Sequence, residues 1–286
     1  MVCCIFGSLS AQKDFLLKVK IDSSIAFQTI HNFAASDAWA AQYVGNWPDK
    51  KKNDIADLLF SREYQKDGSP VGIGLSAWRF NIGAGSGVQG EQSGIKDPWR
   101  RTEGFLQDDG SYHWQNQSGQ QWFLHAAKER GVNQFIAFVN SPPIQLTKNG
   151  RAHSQDGLSA NLPKDGYVAY ASFLTKVLQH FKKDVGIDFD YISPFNEPQW
   201  EWKGGQEGSP WNNDELAQMA MIIDSVFRVE NIGSKIEITE AGAIDYLTVK
   251  KDKYANRSNQ IEEFFNPKSS SYLGDLESIA PKIAAH

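Results

Sequence analysis

The run Ser193-Pro194-Phe195-Asn196-Glu197-Pro198-Gln199-Trp200 carries residue types suited to proton transfer on a polyhydroxylated ligand. Glu197 follows directly on the apolar segment Phe189–Ser193, which reads as a strand. In parallel α/β folds ligands sit at the carboxyl ends of strands, so a carboxyl group there projects into a site from a rigid element. Pro198 stiffens the turn and favours extended geometry for the residue before it. Asn196 has an amide that can donate to a sugar hydroxyl while Glu197 transfers the proton. Trp200 and Trp202 offer flat walls for stacking. The plain alternative is a carboxylate that caps a helix in a loop.

Glu240 ends the following strand, in Ile238-Thr239-Glu240-Ala241-Gly242. Two carboxyl groups about 5–5.5 Å apart suit a retaining glycosidase, one as acid/base and one as nucleophile. Neighbouring strand ends reach such a spacing, so Glu240 reads either as the partner of Glu197 or as a structural carboxylate. Asp37 and Trp39 follow the first strand, Arg79 and Asn81 lie near the end of the second, and Asn140 and Ser141 end the third. Polar and aromatic groups converging on one rim suit a ligand with many hydroxyls. Arg79 either holds the carboxylates ionised by its charge or makes an interior salt bridge.

These residues need strands to carry them, and the chain alternates short apolar segments with amphipathic helical ones. Strands are expected at Phe27–Phe33, Ser76–Ile82, Phe135–Val139, Phe189–Ser193 and Lys235–Thr239, and a last one begins at Ile283. Helices are expected at Asn53–Phe60, with Ile55, Leu58 and Leu59 on one face, and at Gln120–Arg130, stopped by Gly131. Tyr170, Phe173, Leu174, Val177 and Phe181 recur at helical spacing, as do Leu216, Met219, Ala220, Ile223 and Phe227 ahead of Gly233. Regular alternation of this kind gives an α/β protein with a parallel sheet, either doubly wound or a barrel.

The chain has 286 residues, of which 41% are apolar and 22% charged, which suits a packed core of one large domain or two small ones. The net charge of −5, with Lys50-Lys51-Lys52 as its one basic cluster, argues against a nucleic-acid surface. Aromatic content of 12%, with nine Trp, exceeds what a core alone calls for and is consistent with sugar stacking. The histidines His31, His113, His125, His153, His180 and His286 are scattered, and neither a zinc motif nor a GxSxG elbow is present, so no metal and no cofactor are expected. Gly85-Ser86-Gly87-Val88-Gln89-Gly90 matches GxGxxG, but it runs into a polar stretch ending at Pro98 where a dinucleotide site needs a helix. A nicotinamide-dependent oxidoreductase is therefore the least favoured alternative. Residues 1–11, with Cys3, Cys4 and a small-residue run before Gln12, look like the remnant of a signal peptide. A secreted, periplasmic or cell-surface protein follows from that reading, with residues 12–286 as the barrel portion. No run approaches the length of a membrane span.

With these residues in hand, the chain resembles glycoside hydrolase family 30, specifically its endo-β-1,6-galactanase-like branch. The likeness covers about residues 25–286. It rests on Asn32-Phe33-Ala34-Ala35-Ser36-Asp37-Ala38-Trp39, on the run from Gly74 to Ser86, on Phe138-Val139-Asn140-Ser141-Pro142-Pro143 and on the run from Ile192 to Trp200. The resemblance implies a retaining (β/α)8 TIM barrel, incomplete here with about six β/α units, and a galactan polysaccharide as substrate. It implies Glu197 as acid/base after strand four. It places the nucleophile at the end of strand seven, beyond residue 286, which makes Glu240 a substrate-site residue with Asp37, Trp39, Arg79, Asn81, Asn140, Asn196 and Trp200. The chain alone is then expected to be inactive. The runner-up readings are a xylan- or glucan-cleaving enzyme of the same family and a non-catalytic glycan-binding relic.

Overall fold

The computed structural model describes residues 18–20 and 22–286. The signal-peptide expectation for residues 1–11 lies outside the described residues. The chain divides into two units, residues 1–31 and 32–286. The described part of the first contains neither helix nor strand, and a turn at Asp22 is closed by the Ser24 amide and hydroxyl, both donating to Asp22 Oδ1.

The second unit is built on six strands: β1 (Ala34–Ser36), β2 (Ala77–Asn81), β3 (Gln134–Phe138), β4 (Tyr191–Ser193), β5 (Lys235–Ala241) and β6 (Ile279–Ala285). They form one sheet in the order β1-β2-β3-β4-β5-β6, and every neighbouring pair is parallel. A doubly wound sheet reverses its strand order at a switch point. This one never does, which is the winding of a (β/α) barrel wall. The choice between open sheet and barrel that periodicity left unsettled is thereby made.

The helices follow the expected pattern. Ser118–Glu129 stops before Gly131, whose φ of 85° is costly for a residue with a Cβ. Tyr167–His180 buries Tyr170, Phe173, Leu174 and Val177, and a π-turn at Phe181–Val185 extends it. Asn213–Val229 buries Leu216, Met219, Ala220, Ile223 and Phe227, and at its start Glu215 Oε2 accepts the Asn212 amide. Along β2, Trp78 packs between Phe60 and Phe123, and Phe80 packs against Phe181 and Phe189. That alternation sends Arg79 to the other face of the sheet.

Two expectations need correction. The first strand is Ala34–Ser36, not Phe27–Phe33. Register with Ala77, Trp78 and Arg79 places pairing after the apolar run, and Phe27 and Phe33 are exposed. The first long helix spans Asp49–Phe60, and Ala56 and Phe60 are its buried residues, while Leu58 is exposed. Apolar character had pointed to Leu58, but the i, i+4 pair Ala56 and Phe60 faces the sheet.

Candidate active site

Arg79, Asn196, Glu197 and Glu240 come together at the carboxyl ends of β2, β4 and β5. The Arg79 guanidinium lies 3.4 Å above the Phe138 ring on β3, pairs with Glu240 Oε2 and donates to Asn196 Oδ1 at 3.3 Å. Ser193, the last residue of β4, donates to Glu240 Oε1 at 3.0 Å and lies 3.2 Å from Glu237 Oε2. Glu237 in turn pairs with Lys282 of β6 at 3.0 Å. At the end of β6, the His286 ring lies 3.0 Å from Glu197 Oε1 through Nδ1 and 3.0 Å from Glu240 Oε2 through Nε2. One polar network therefore crosses four strands, and acidic and basic groups alternate along it.

The physical cause of this clustering is partly a register irregularity. Ile238 pairs with Ile283 and Ala241 with Ala285, so β5 spends three residues against two of β6. The extra residue reverses side-chain parity, which lets Glu240 join Glu237 on one face. Glu240 itself has φ of 52°, and Glu197 has φ of 44°. The extended geometry that Pro198 favours is thus not adopted at Glu197. Three hydrogen bonds hold the residue instead: its amide donates to the Glu240 carbonyl (2.9 Å), and its own carbonyl accepts the Trp200 amide (3.2 Å) and Trp202 Nε1 (3.0 Å). Non-glycine residues held in the left-handed region cluster at sites where surrounding contacts over-determine them.

Burial works to raise the Glu240 carboxyl, but Arg79, His286 and Ser193 outweigh it and hold it below the usual glutamate value. The two carboxylates on His286 push its imidazole up to about 9, so it is a cation at neutral pH. At 3% exposure Glu240 is a buried, ionised anchor, whereas the Glu197 side chain is 21% exposed.

A second buried chain lies beside the first. Asp37 Oδ1 accepts the Asn81 amide at 2.8 Å, and Asn140 Nδ2 donates to Asn81 Oδ1 at 3.1 Å. All three residues are buried, and burial pushes Asp37 up to about 8 against the pull of the Asn81 amide. The rings of Trp39 and Trp200 pack elsewhere, and Trp202 meets the first chain through its indole N–H on the Glu197 carbonyl. Trp39 lies under the Arg100 guanidinium (5.8 Å), and Trp200 packs edge-on against Tyr246 and Tyr254. Trp202 is pressed against Gly208, where an added Cβ would come within 2.4 Å of the indole.

His286, Ser193, Glu237 and Glu207 belong to the picture without having been singled out by type. Glu207, wholly buried, accepts from the Ala84 amide (3.0 Å), the Ser86 amide (3.1 Å) and the Ser86 hydroxyl (2.6 Å). These are the loop amides a phosphate would need, so the GxGxxG match is a loop fastened by the protein's own carboxylate. Among the described residues no group of three or more His, Cys, Asp or Glu is placed to hold a metal ion.

A one-directional wall of parallel strands, with carboxylates gathered at its carboxyl rim, is the frame of the (β/α)-barrel glycoside hydrolases. The profile of O-glycosyl hydrolase family 30 matches residues 16–286, and the chain belongs to that family. It is 28% identical to an endo-β-1,6-galactanase of Hypocrea rufa, over 79% of this chain and 49% of that protein. A crystal structure of a conserved exported protein from Bacteroides fragilis superposes with a TM-score of 0.87 at 39% identity, over 93% of this chain and 55% of that one. An endo-β-1,6-glucanase shares the fold, with a TM-score of 0.63 at 17% identity over 93% of this chain and 53% of that one. The chain spans about half the length of these relatives.

Proposed function

We propose that this chain supplies the acid/base side of a retaining glycoside hydrolase that cuts β-1,6-linked galactan outside the cytoplasm. Glu197 protonates the leaving glycosidic oxygen and then, as carboxylate, activates the water that releases the sugar. The observation that carries this reading is Glu197 itself. It stands past the end of β4, its main-chain N–H and C=O are fixed by three hydrogen bonds, one from the Trp202 indole, and its partly exposed carboxyl group faces the His286–Glu240–Arg79 cluster. Asn196, Arg79 and the Asp37–Asn81–Asn140 chain support the floor of the sugar site, with Trp39 and Trp200 further out. Galactan is favoured by the likeness to the galactanase, and export by the likeness to an exported protein.

The near-complete burial of Glu240 and its pairing with Arg79 suit a positioning carboxylate, and the resemblance assigns the nucleophile to a seventh strand. Two assays test these assignments on a panel of β-1,6-galactan, β-1,3-galactan, β-1,6-glucan and xylan. In protein that includes strand seven, Glu197→Gln lowers kcat on β-1,6-galactan by about 10²–10⁴ with little change in affinity. The 286-residue chain by itself releases no sugar. Release by that chain, lost on Glu240→Gln as well as on Glu197→Gln, would instead make Glu240 the nucleophile, and preference for xylan would overturn the galactan reading.

A further inference from the structure

We infer that Trp99, backed by Tyr43, forms a remote platform for one sugar unit of the glycan, away from the bond being cut. This rests on the reading that the chain binds a β-linked glycan. The two rings stack at 4.3 Å with 28° between their planes, so Tyr43 covers one face of the indole. Trp99 nevertheless remains 44% exposed. Backed by Tyr43 and fixed in orientation, the open indole face, unlike a singly exposed tryptophan, is preset as a flat apolar surface that the C–H face of a pyranose matches.

The platform is built rigidly. The Trp99 amide donates to Asp97 Oδ1 at 2.9 Å, the Arg100 amide to the Asp97 carbonyl at 3.0 Å, and the Tyr43 hydroxyl to the Pro98 carbonyl at 2.6 Å. It is also joined to the rim. Arg100 lies over the Trp39 ring and donates to Gln206 Oε1 at 3.1 Å, which ties it to the residue just past β1 and to the loop that follows Glu197. Beside the stack opens a cavity of about 340 Å³, the lower end of small-molecule pockets. Tyr43 and Pro98 form part of its wall with Gln42, Asn46, Arg101 and Glu103, of which Gln42 donates to Glu103 Oε2 at 3.1 Å and Arg101 Nε to the Ile95 carbonyl at 2.8 Å, so the wall is polar and held in place. An aromatic face next to planar side chains of both hydrogen-bonding senses fits a neutral polyhydroxylated ring.

The test is the affinity of the chain carrying Glu197→Gln, which binds without turnover, for a length ladder of β-1,6-linked galacto-oligosaccharides measured by calorimetry. Past some length one added galactose tightens binding by about tenfold, the scale of one aromatic contact. Trp99→Ala abolishes that step and leaves the shorter sugars unaffected, while Trp99→Phe keeps part of it. Trp47→Ala, at an equally exposed tryptophan outside the stack, keeps all of it. Persistence of the step in Trp99→Ala, or its loss in Trp47→Ala, overturns the platform and leaves the proposed function standing. Absence of binding at every length overturns both.

Discussion

His286 holds one ring nitrogen against each of two carboxylates, and its charge state follows from that geometry. Folding raises its proton affinity from 6.5 to about 9. The folded protein therefore binds this proton more tightly than the unfolded chain does. The stability gained is fully present below pH 6.5 and is lost as pH rises through about 9. His286→Ala should lower the urea midpoint clearly at pH 6 and much less at pH 10. An equal loss at both values would mean that the ring acts by packing alone. Glu197, Asn196, Arg79 and Glu240 were legible in the sequence because each sits at a strand end beside other polar or aromatic residues. His286, Ser193 and Glu237 were not, because a lone histidine or serine has no local signature. Their roles appear once β4, β5 and β6 are laid in register. Trp200 was expected to stack on sugar, and its ring packs edge-on against Tyr246 and Tyr254, which lie about 50 residues away in sequence.

Between residue and fold stand the loops that carry the rim, and the one after β2 shows how they are fixed. Gly83 and Gly87 let it run against residues 102–103: an added Cβ at Gly83 would lie 2.0 Å from the Glu103 carbonyl. Glu207 then closes the loop from the other side through three donors, without an ion pair to any Lys, Arg or His among the described residues, and burial pushes its carboxyl up to about 7. Glu207→Ala would leave two buried amides and the Ser86 hydroxyl proton without acceptors, although that hydroxyl still accepts the Thr102 amide, at a cost on the order of 3 kcal/mol in a denaturant titration. Glu207→Gln, which keeps acceptors for only part of the set, should cost less. A glycine-rich run is readable as tight backbone packing, but the group it wraps is set by a carboxylate about 120 residues later in the chain. The same limit explains β5. Its apolar and acidic residues were plain, yet the bulge that turns Glu237 and Glu240 to one face exists only in the pairing with β6.

At the scale of the whole molecule, periodicity left the winding as a pair of options, and the family resemblance pointed to the barrel that the strand order bears out. Helix–strand alternation gives a parallel sheet, and the sense in which successive strands add decides between barrel and open sheet. That wall encloses acidic side chains on its inner face and at its rim, and their burial makes global stability depend on pH in a definite way. Asp37 is raised from 3.8 to about 8 and Glu207 from 4.5 to about 7, so each keeps its proton in the folded state after the unfolded chain has lost it. Their contribution is complete below 3.8 and 4.5 and declines as pH rises through about 8 and about 7. Glu240 runs the other way. Its folded value lies below 4.5, so its contribution is present above 4.5 and disappears as the solution is acidified. With His286 losing its share between 6.5 and about 9, these four groups together favour mildly acid solution and withdraw stability as pH rises through 8. Urea unfolding at pH 4.5, 6, 8 and 9 should trace that fall. Asp37→Asn, neutral at every pH, should flatten it between pH 4.5 and 8 more than any exposed aspartate variant does. A chain whose stability instead climbed steadily from pH 4.5 to 8 would show that these buried carboxyls are ionised and paired with charge, contrary to the way the barrel wall encloses them.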